Sequence, residues 1–214
     1  MDTIQHQNQQ HDTETLILQA AEKEFLDKGY AGAKTTDIAH AAGVTHAMLH
    51  YYFRTKDKLF ERIVADKMDK LCETMIGTIS KWDPAQSLEE RITQMVECHF
   101  DFIAANRDVP RFLINEIHVH PERLELIKST LCAKASALVI ELQTAIDTLA
   151  NDGKCRQTDA RMLVFDMVSL NAFPFLSSPI ITPMTEIMFG SYEDFLAKRR
   201  QENVRTILDK LQLR

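Results

Sequence analysis

Residues 35–58 read TTDIAHAAGVTHAMLHYYFRTKDK, and this stretch decides the fold. It predicts two short helices joined by a glycine turn. Ile38 and Ala39 give the first helix an apolar face. Gly43 stands where that helix must stop and the backbone must turn sharply, a place that favours a residue tolerant of positive φ. Val44 packs the turn. Thr45 can cap the next helix through its hydroxyl. Leu49 and Phe53 are four apart and share an inward face. This is the helix-turn-helix plan, in which the second helix lies in a major groove of DNA.

Outward from this stretch the chain reads as helix after helix. Residues 1–13 are polar, rich in Gln and His, and are expected to be disordered. From Glu14 to Lys28, Leu16, Ile17, Ala20, Ala21 and Phe25 form one apolar face, and Gly29 stops the helix. A long helix is expected from Asp57 to about Lys81, carrying Phe60, Val64, Met68, Leu71, Met75 and Ile79. It would span roughly 35 Å at 1.5 Å per residue and could carry a displacement between domains. Trp82-Asp83-Pro84 breaks it. Ser87 and Glu90 then form a capping box for a helix faced by Leu88, Ile92, Met95, His99 and Phe102.

A short helix is expected at 111–119. Pro121 opens the next one, with a stripe of Leu124, Ile127, Leu131, Ala135, Leu138, Leu142, Ala145 and Leu149 that Gly153 ends. Thr158 is the expected cap of a helix carrying Met162, Phe165, Val168 and Ala172. Pro174, Pro179 and Pro183 mark an apolar loop. The last helix runs from Tyr192 to Leu211, with Leu196, Val204, Ile207 and Leu211 as its seam. The fold class is therefore all-α, with about nine helices. Three parts are expected: a polar tail at 1–13, a helix-turn-helix DNA-binding domain at 14–56, and a helical effector-binding and dimerisation domain at 57–214.

Composition agrees. A 45% hydrophobic and 26% charged chain of 214 residues can bury a real core, and only 6 Gly and 6 Pro favour helices over turn-rich β structure. There is no apolar run long enough for a transmembrane helix, and the N-terminus lacks a signal-peptide pattern. Cys72, Cys98, Cys132 and Cys155 form no C-x-x-C pair, so reduced thiols in a cytoplasm are expected. The net charge of −6 argues against unspecific coating of nucleic acid. Between residues 34 and 58, however, Lys34, Arg54, Lys56 and Lys58 outweigh Asp37 and Asp57, giving a local charge of +2. A small positive face suits a short DNA contact, although a solvated helix surface has the same composition.

Base readout needs side chains near the start of the recognition helix. Those are Thr45, His46, Ala47 and His50. Imidazole can hydrogen-bond a guanine edge, and Ala47 can touch a thymine methyl. Phosphate contacts are expected from Lys34, Thr35, Thr36, Tyr51, Tyr52 and Lys56, whose hydroxyls and ammonium groups fix register rather than sequence.

Residues 14–63 also resemble the DNA-binding domain of the tetracycline-repressor (TetR) family of bacterial transcriptional regulators. The resemblance rests on Ala20, Ala21, Phe25, Gly29, Tyr30, Ile38, Ala39, Ala42, Gly43, Val44, Leu49, Tyr51, Phe53, Lys56 and Leu59. It implies that His46, Ala47 and His50 stand at base-contacting positions, and that the later helices hold an inducer pocket. The chain departs from the family pattern at His50, where Tyr is common, at Tyr52, where His is common, and at Ala33 and Lys34, where Thr or Ser is common. These departures bear on operator preference.

Flexible Met and flat aromatic rings suit an adaptable apolar pocket, although at helical spacing they are more often core. The candidates are Met75, Met95, Phe102, Phe112, Met162 and Phe165, with His99 and Glu116 as polar anchors. A dimer contact is expected from Val168, Ala172, Leu196, Val204, Ile207 and Leu211. Glu116, His118 and His120 could suggest a metal, but an H-x-H pair on a helix splays its rings by about 200°, and no metal site or cofactor is expected. No Gly-rich phosphate loop, G-x-S-x-G or H-E-x-x-H is present, and the chain is not expected to be an enzyme. The reading is a homodimeric repressor that binds a palindromic operator and is released by an unknown small-molecule effector, with no membrane partner. The alternative is a DNA-binding or architectural dimer with no small-molecule effector, controlled by a protein partner.

Overall fold

The computed structural model describes residues 2–79, 83, 85–111, 114 and 124–213, with the side chains of 2–11, 79, 124–135, 137 and 138 left aside. No strand occurs among the described residues. The helices are α1 (Asp2–Gly32), α2 (Thr35–Ala41), α3 (His46–Phe53), α4 (Lys56–Ile79), α5 (Leu88–Ala105), α6 (Leu124–Asn151), α7 (Ala160–Leu176), α8 (Ser178–Phe189) and α9 (Tyr192–Leu211). The all-α reading therefore holds. No single helix among the described residues is long and apolar enough to cross a membrane.

Two compact units divide inside α4, between Lys67 and Met68. In the first, Ile17, Ala21 and Phe25 of α1 are buried, as are Ile38 and Ala39 of α2, Leu49 and Phe53 of α3, and Leu59, Phe60, Ile63 and Val64 of α4. Phe25 and Tyr30 each meet the Phe60 ring edge-on, at 5.5 and 5.3 Å between centroids. Edge-to-face pairs of this kind add to area burial. Gly29, at φ 68°, interrupts the helical backbone as its sequence position predicts. The chain upstream departs from expectation. α1 continues back to Asp2 through the polar residues that read as a disordered tail. That stretch contains no Gly or Pro before Gly29, so nothing local stops a helix once α1 has nucleated.

In the second unit, α5, α7 and α9 bury Ile92, Met95, Val96, Leu163, Met167, Ile207 and Leu211 together with Leu142 and Ile146 of α6. A smaller cluster joins Phe100, Phe102, Ile103, Phe175 and Leu196. The expected capping box is formed: Ser87 Oγ accepts from the Glu90 amide, and the Glu90 carboxylate accepts from the Ser87 amide at 2.8 Å. Those bonds hold the Glu90 carboxyl below its usual pKa range.

The structure corrects two further local expectations. Asp159, not Thr158, caps α7, its carboxylate accepting from the Arg161 amide. Thr158 Oγ1 instead donates to the Arg156 carbonyl at 3.1 Å. The proline-marked segment is not a loop, because Pro174 lies within α7 and both Pro179 and Pro183 lie within α8. Pro179 stands in the first turn of α8, where the missing N–H has no partner to lose. Pro174 is costlier, since it cannot donate to the Leu170 carbonyl one turn earlier. That carbonyl is satisfied from another helix: Asn203 Nδ2 of α9 donates to it at 3.1 Å.

The same asparagine belongs to a buried polar chain. Asn203 Nδ2 also donates to Asn171 Oδ1 at 2.8 Å. Asn171 Nδ2 in turn donates to the Val96 carbonyl at 3.0 Å and to His99 Nδ1 at 3.1 Å. Both asparagines have 0% exposure. Because His99 Nδ1 accepts, the ring is neutral with its proton on Nε2. Burial pushes its pKa down from 6.5 to about 4. Above pH 6.5 neither folded nor unfolded chain carries this proton. As pH falls from 6.5 towards 4, only the unfolded chain takes it up, so stability is lost across that window. At pH 5 the cost is about 2 kcal/mol relative to neutral pH. Urea unfolding of His99→Gln at pH 7.5 and 5.0 should show a pH-dependent loss smaller than the native chain's by that amount. Equal losses in the two proteins would assign the acid sensitivity elsewhere.

Candidate nucleic-acid interface

α3 is built to expose a reading face. At about 100° per residue, Leu49 and Phe53 point into the first unit's core, where both are buried. His46, Ala47, Met48, His50 and Tyr51 are then left exposed. Tyr51 is 73% exposed and stands at the middle of the outward face. The turn that aims the helix follows the sequence closely. Gly43 takes φ 69°, and Thr45 is the N-cap, its oxygen accepting from the Met48 amide at 3.2 Å. Thr45→Ala should cost about 1 kcal/mol of local stability. Amide hydrogen exchange in the first turn of α3 should then quicken about fivefold, and unchanged exchange there would show that the cap does not hold the helix.

Two histidines line one edge of this face. Their rings meet at right angles, 4.5 Å apart. His46 Nε2 lies 3.1 Å from Thr35 Oγ1, tying α3 to α2. His50 Nδ1 donates to the Arg54 carbonyl at 2.9 Å. Arg54 ends α3 with φ 46°, its amide donating back to the His50 carbonyl.

The expected phosphate-contact residues fall into two groups. Lys34, Thr36 and Tyr51 are exposed, while Thr35 and Tyr52 are half-buried. Thr36 Oγ1 donates to Asp37 Oδ1 at 3.4 Å. Lys56 is turned inward: Nζ donates to the Ala33 carbonyl at 2.9 Å and sits 4.3 Å above the Tyr30 ring. Tyr30 Oη donates to Asp57 at 2.5 Å. Lys56 thus locks the start of α4 to the end of α1. Met48 was missed by sequence reasoning. It stands beside Tyr51 on the outward arc, on the side away from Ala47, and only the buried register of Leu49 and Phe53 reveals it.

The expected pocket residues are not gathered in one place. Met75 and Met95 pack in the larger core cluster and Phe102 in the smaller one. His99 is held by Asn171. Met162 and Phe165 are 58% and 68% exposed, because α7 buries Ala160, Leu163, Met167, Asn171 and Pro174 instead. Phe112 and Glu116, with His118 and His120, lie outside the described residues. Among the described residues no cluster of His, Cys, Asp or Glu could hold a metal. Of the expected dimer residues, Leu196, Ile207 and Leu211 are buried within their own unit, Ala172 and Val204 are half-buried, and Val168 is exposed. Exposed apolar side chains are most numerous on α7, with Met162, Phe165, Val168 and Phe173, and on α8, with Ile180, Met184, Ile187 and Met188.

Comparison with known proteins bears on this geometry. Residues 17–63 match the family model described as bacterial regulatory proteins, tetR family. The chain is 30% identical over 125 residues to the probable HTH-type transcriptional regulator YttP of Bacillus subtilis, covering 57% of this chain and 58% of that protein. It is 25% identical over 156 residues to the HTH-type transcriptional activator FasR of Mycolicibacterium smegmatis, covering 72% and 67%. The chain spans about half the length of the first Bacillus subtilis relatives it matches, 58% of YttP and 52% of the uncharacterized HTH-type regulator YdgC. In fold it is similar to the putative transcriptional regulator SCO4942 from Streptomyces coelicolor, with TM-score 0.69, 21% identity, and coverage of 94% and 99%. It is also similar to the fatty acid degradation regulator FadR from Bacillus halodurans, with TM-score 0.60, 17% identity, and coverage of 90% and 94%. The helix-turn-helix thus carries the match to the tetR-family model over residues 17–63, and the rest of the chain shares the helical fold of these solved structures.

Proposed function

We propose that the chain is a sequence-specific DNA-binding transcriptional regulator that works as a homodimer in the cytoplasm and is not an enzyme. The observation that carries this reading is α3, which buries Leu49 and Phe53 and presents His46, Ala47, Met48, His50 and Tyr51 to solvent. Thr45, His46, Ala47 and His50 reach base edges, and Lys34, Thr35, Thr36, Tyr51 and Tyr52 meet the flanking phosphates. Lys56 acts through position, by holding α4 against the Ala33 carbonyl. The exposed apolar faces of α7 and α8 are where a second copy docks, since exposed apolar side chains concentrated on two consecutive helices mark an interaction site. Two-fold pairing would present two recognition helices to a palindromic operator.

The regulator is a repressor whose effector binds in the second unit. A ligand that favours the DNA-incompetent arrangement shifts the dimer towards it, and α4, which contributes to both units, carries the linkage. A coupling of about 1–3 kcal/mol lowers operator affinity by roughly 5–150-fold. A thermal-shift screen should find a stabilising small molecule, and operator titration with that molecule saturating should show the loss. Undiminished affinity would contradict effector control. The packing of Met75, Met95 and Phe102 into core clusters favours the alternative of regulation by a protein partner, in which case no compound would stabilise the protein.

A further inference from the structure

We infer that His50 selects an amino-bearing base, adenine or cytosine, on the strand it faces. This inference rests on the proposed DNA-reading role of α3 and specifies its chemistry. The Arg54 carbonyl can only accept, so the His50 Nδ1 that lies 2.9 Å from it carries the imidazole proton. In the neutral ring, Nε2 is then a bare acceptor. The ring is held in this pose from two sides, by the Arg54 carbonyl and by the edge contact with His46 at 4.5 Å.

The Arg54 carbonyl is available because the chain ends α3 abruptly. Arg54 adopts φ 46° and ψ −45°, leaving helical geometry while its own amide still donates to the His50 carbonyl at 3.0 Å. His50 and Arg54 are thus bonded reciprocally, backbone to backbone and ring to backbone. In the major groove only adenine N6 and cytosine N4 offer hydrogen-bond donors, whereas guanine and thymine present acceptors at the matching edge. A bare imidazole nitrogen is therefore satisfied by the first pair of bases and repelled by the second. Tyrosine, common at this position in the family, has a hydroxyl that donates as readily as it accepts and makes no such choice.

The test uses the full-length protein at pH 8.5 and its selected operator, with single base analogues. Deleting the exocyclic amino group at one operator position, purine for adenine or pyrimidin-2-one for cytosine, should weaken native binding roughly five- to tenfold. His50→Ala should be indifferent to the same deletion. Removing purine N7 with a 7-deaza analogue at that position should leave native binding unchanged. In the free protein, imidazole ¹⁵N shifts should show a protonated Nδ1 and a bare Nε2 for His50. Sensitivity to N7 deletion in place of amino deletion would overturn the inference, as would equal responses of native and His50→Ala proteins to every amino deletion. A protein that selects no operator at all would instead overturn the underlying DNA-binding reading. His50 is exposed, so the variant should fold, and an unchanged circular dichroism spectrum checks this.

Discussion

Phe165→Asp is expected to convert the dimer to monomers and to lower operator affinity by about a hundredfold or more. The side chain is 68% exposed and lies on α7 near Met162 and Phe173, opposite the face that buries Leu163 and Met167. An aspartate there leaves the monomer's core untouched. In a two-fold contact the carboxylate appears twice and must be buried in apolar surroundings without a partner. The two recognition helices then bind independently, and the effective concentration that ties one half-site to the other is lost. Sedimentation equilibrium gives the mass, and titration of the operator gives the affinity. A variant that stays dimeric would move the interface off α7. A monomer with native operator affinity would remove the need for a dimer.

The second large effect is on stability. Asn203→Ala should cost about 3 kcal/mol, or roughly 6–12 °C in melting temperature for a chain of this size. The residue has 0% exposure, and its Nδ2 serves two buried acceptors, the Leu170 carbonyl and Asn171 Oδ1. Its own Oδ1 accepts no bond among the described residues, so truncation loses nothing on that side. The Leu170 carbonyl needs this donor only because Pro174 cannot supply one. A second change separates this account from a simple cavity. Pro174→Ala restores a helical N–H for Leu170, so adding it to Asn203→Ala should recover about 1 kcal/mol. Strictly additive losses would show that Asn203 does not serve that carbonyl. Asn203 belongs to the second unit and α3 to the first, so operator affinity measured at low temperature should change little.

The N-terminal unit was legible in the sequence because each of its signals is local. Gly29 and Gly43 take the positive φ their positions imply, Thr45 caps α3, and Leu49 and Phe53 are buried. The second unit was less legible. Residues 160–176 are apolar on nearly every side, so hydrophobic spacing could not choose which face turns inward. Met162 and Phe165 read as pocket residues and Val168 as a dimer contact, whereas the buried register runs through Leu163, Met167 and Asn171. An asparagine in that register hides it from any reading based on apolar period. The prolines misled for a related reason. Pro174 reads as a breaker until Asn203, 29 residues later in the sequence, is seen to supply the missing donor. Lys56 reads as a phosphate contact because it stands at a helix N-terminus, itself an anion site, but its ammonium is engaged with the Ala33 carbonyl and the Tyr30 ring. The His50–Arg54 bond depends on a backbone turn that sequence spacing does not disclose.

The most direct measurement is selection of bound DNA from a random duplex pool, using protein refolded free of co-purified ligand, with recovered sites titrated at two salt concentrations. The account predicts one palindrome, bound at least about a thousandfold more tightly than random duplex. Uniform binding that weakens steeply with salt, or no binding at all, would contradict it.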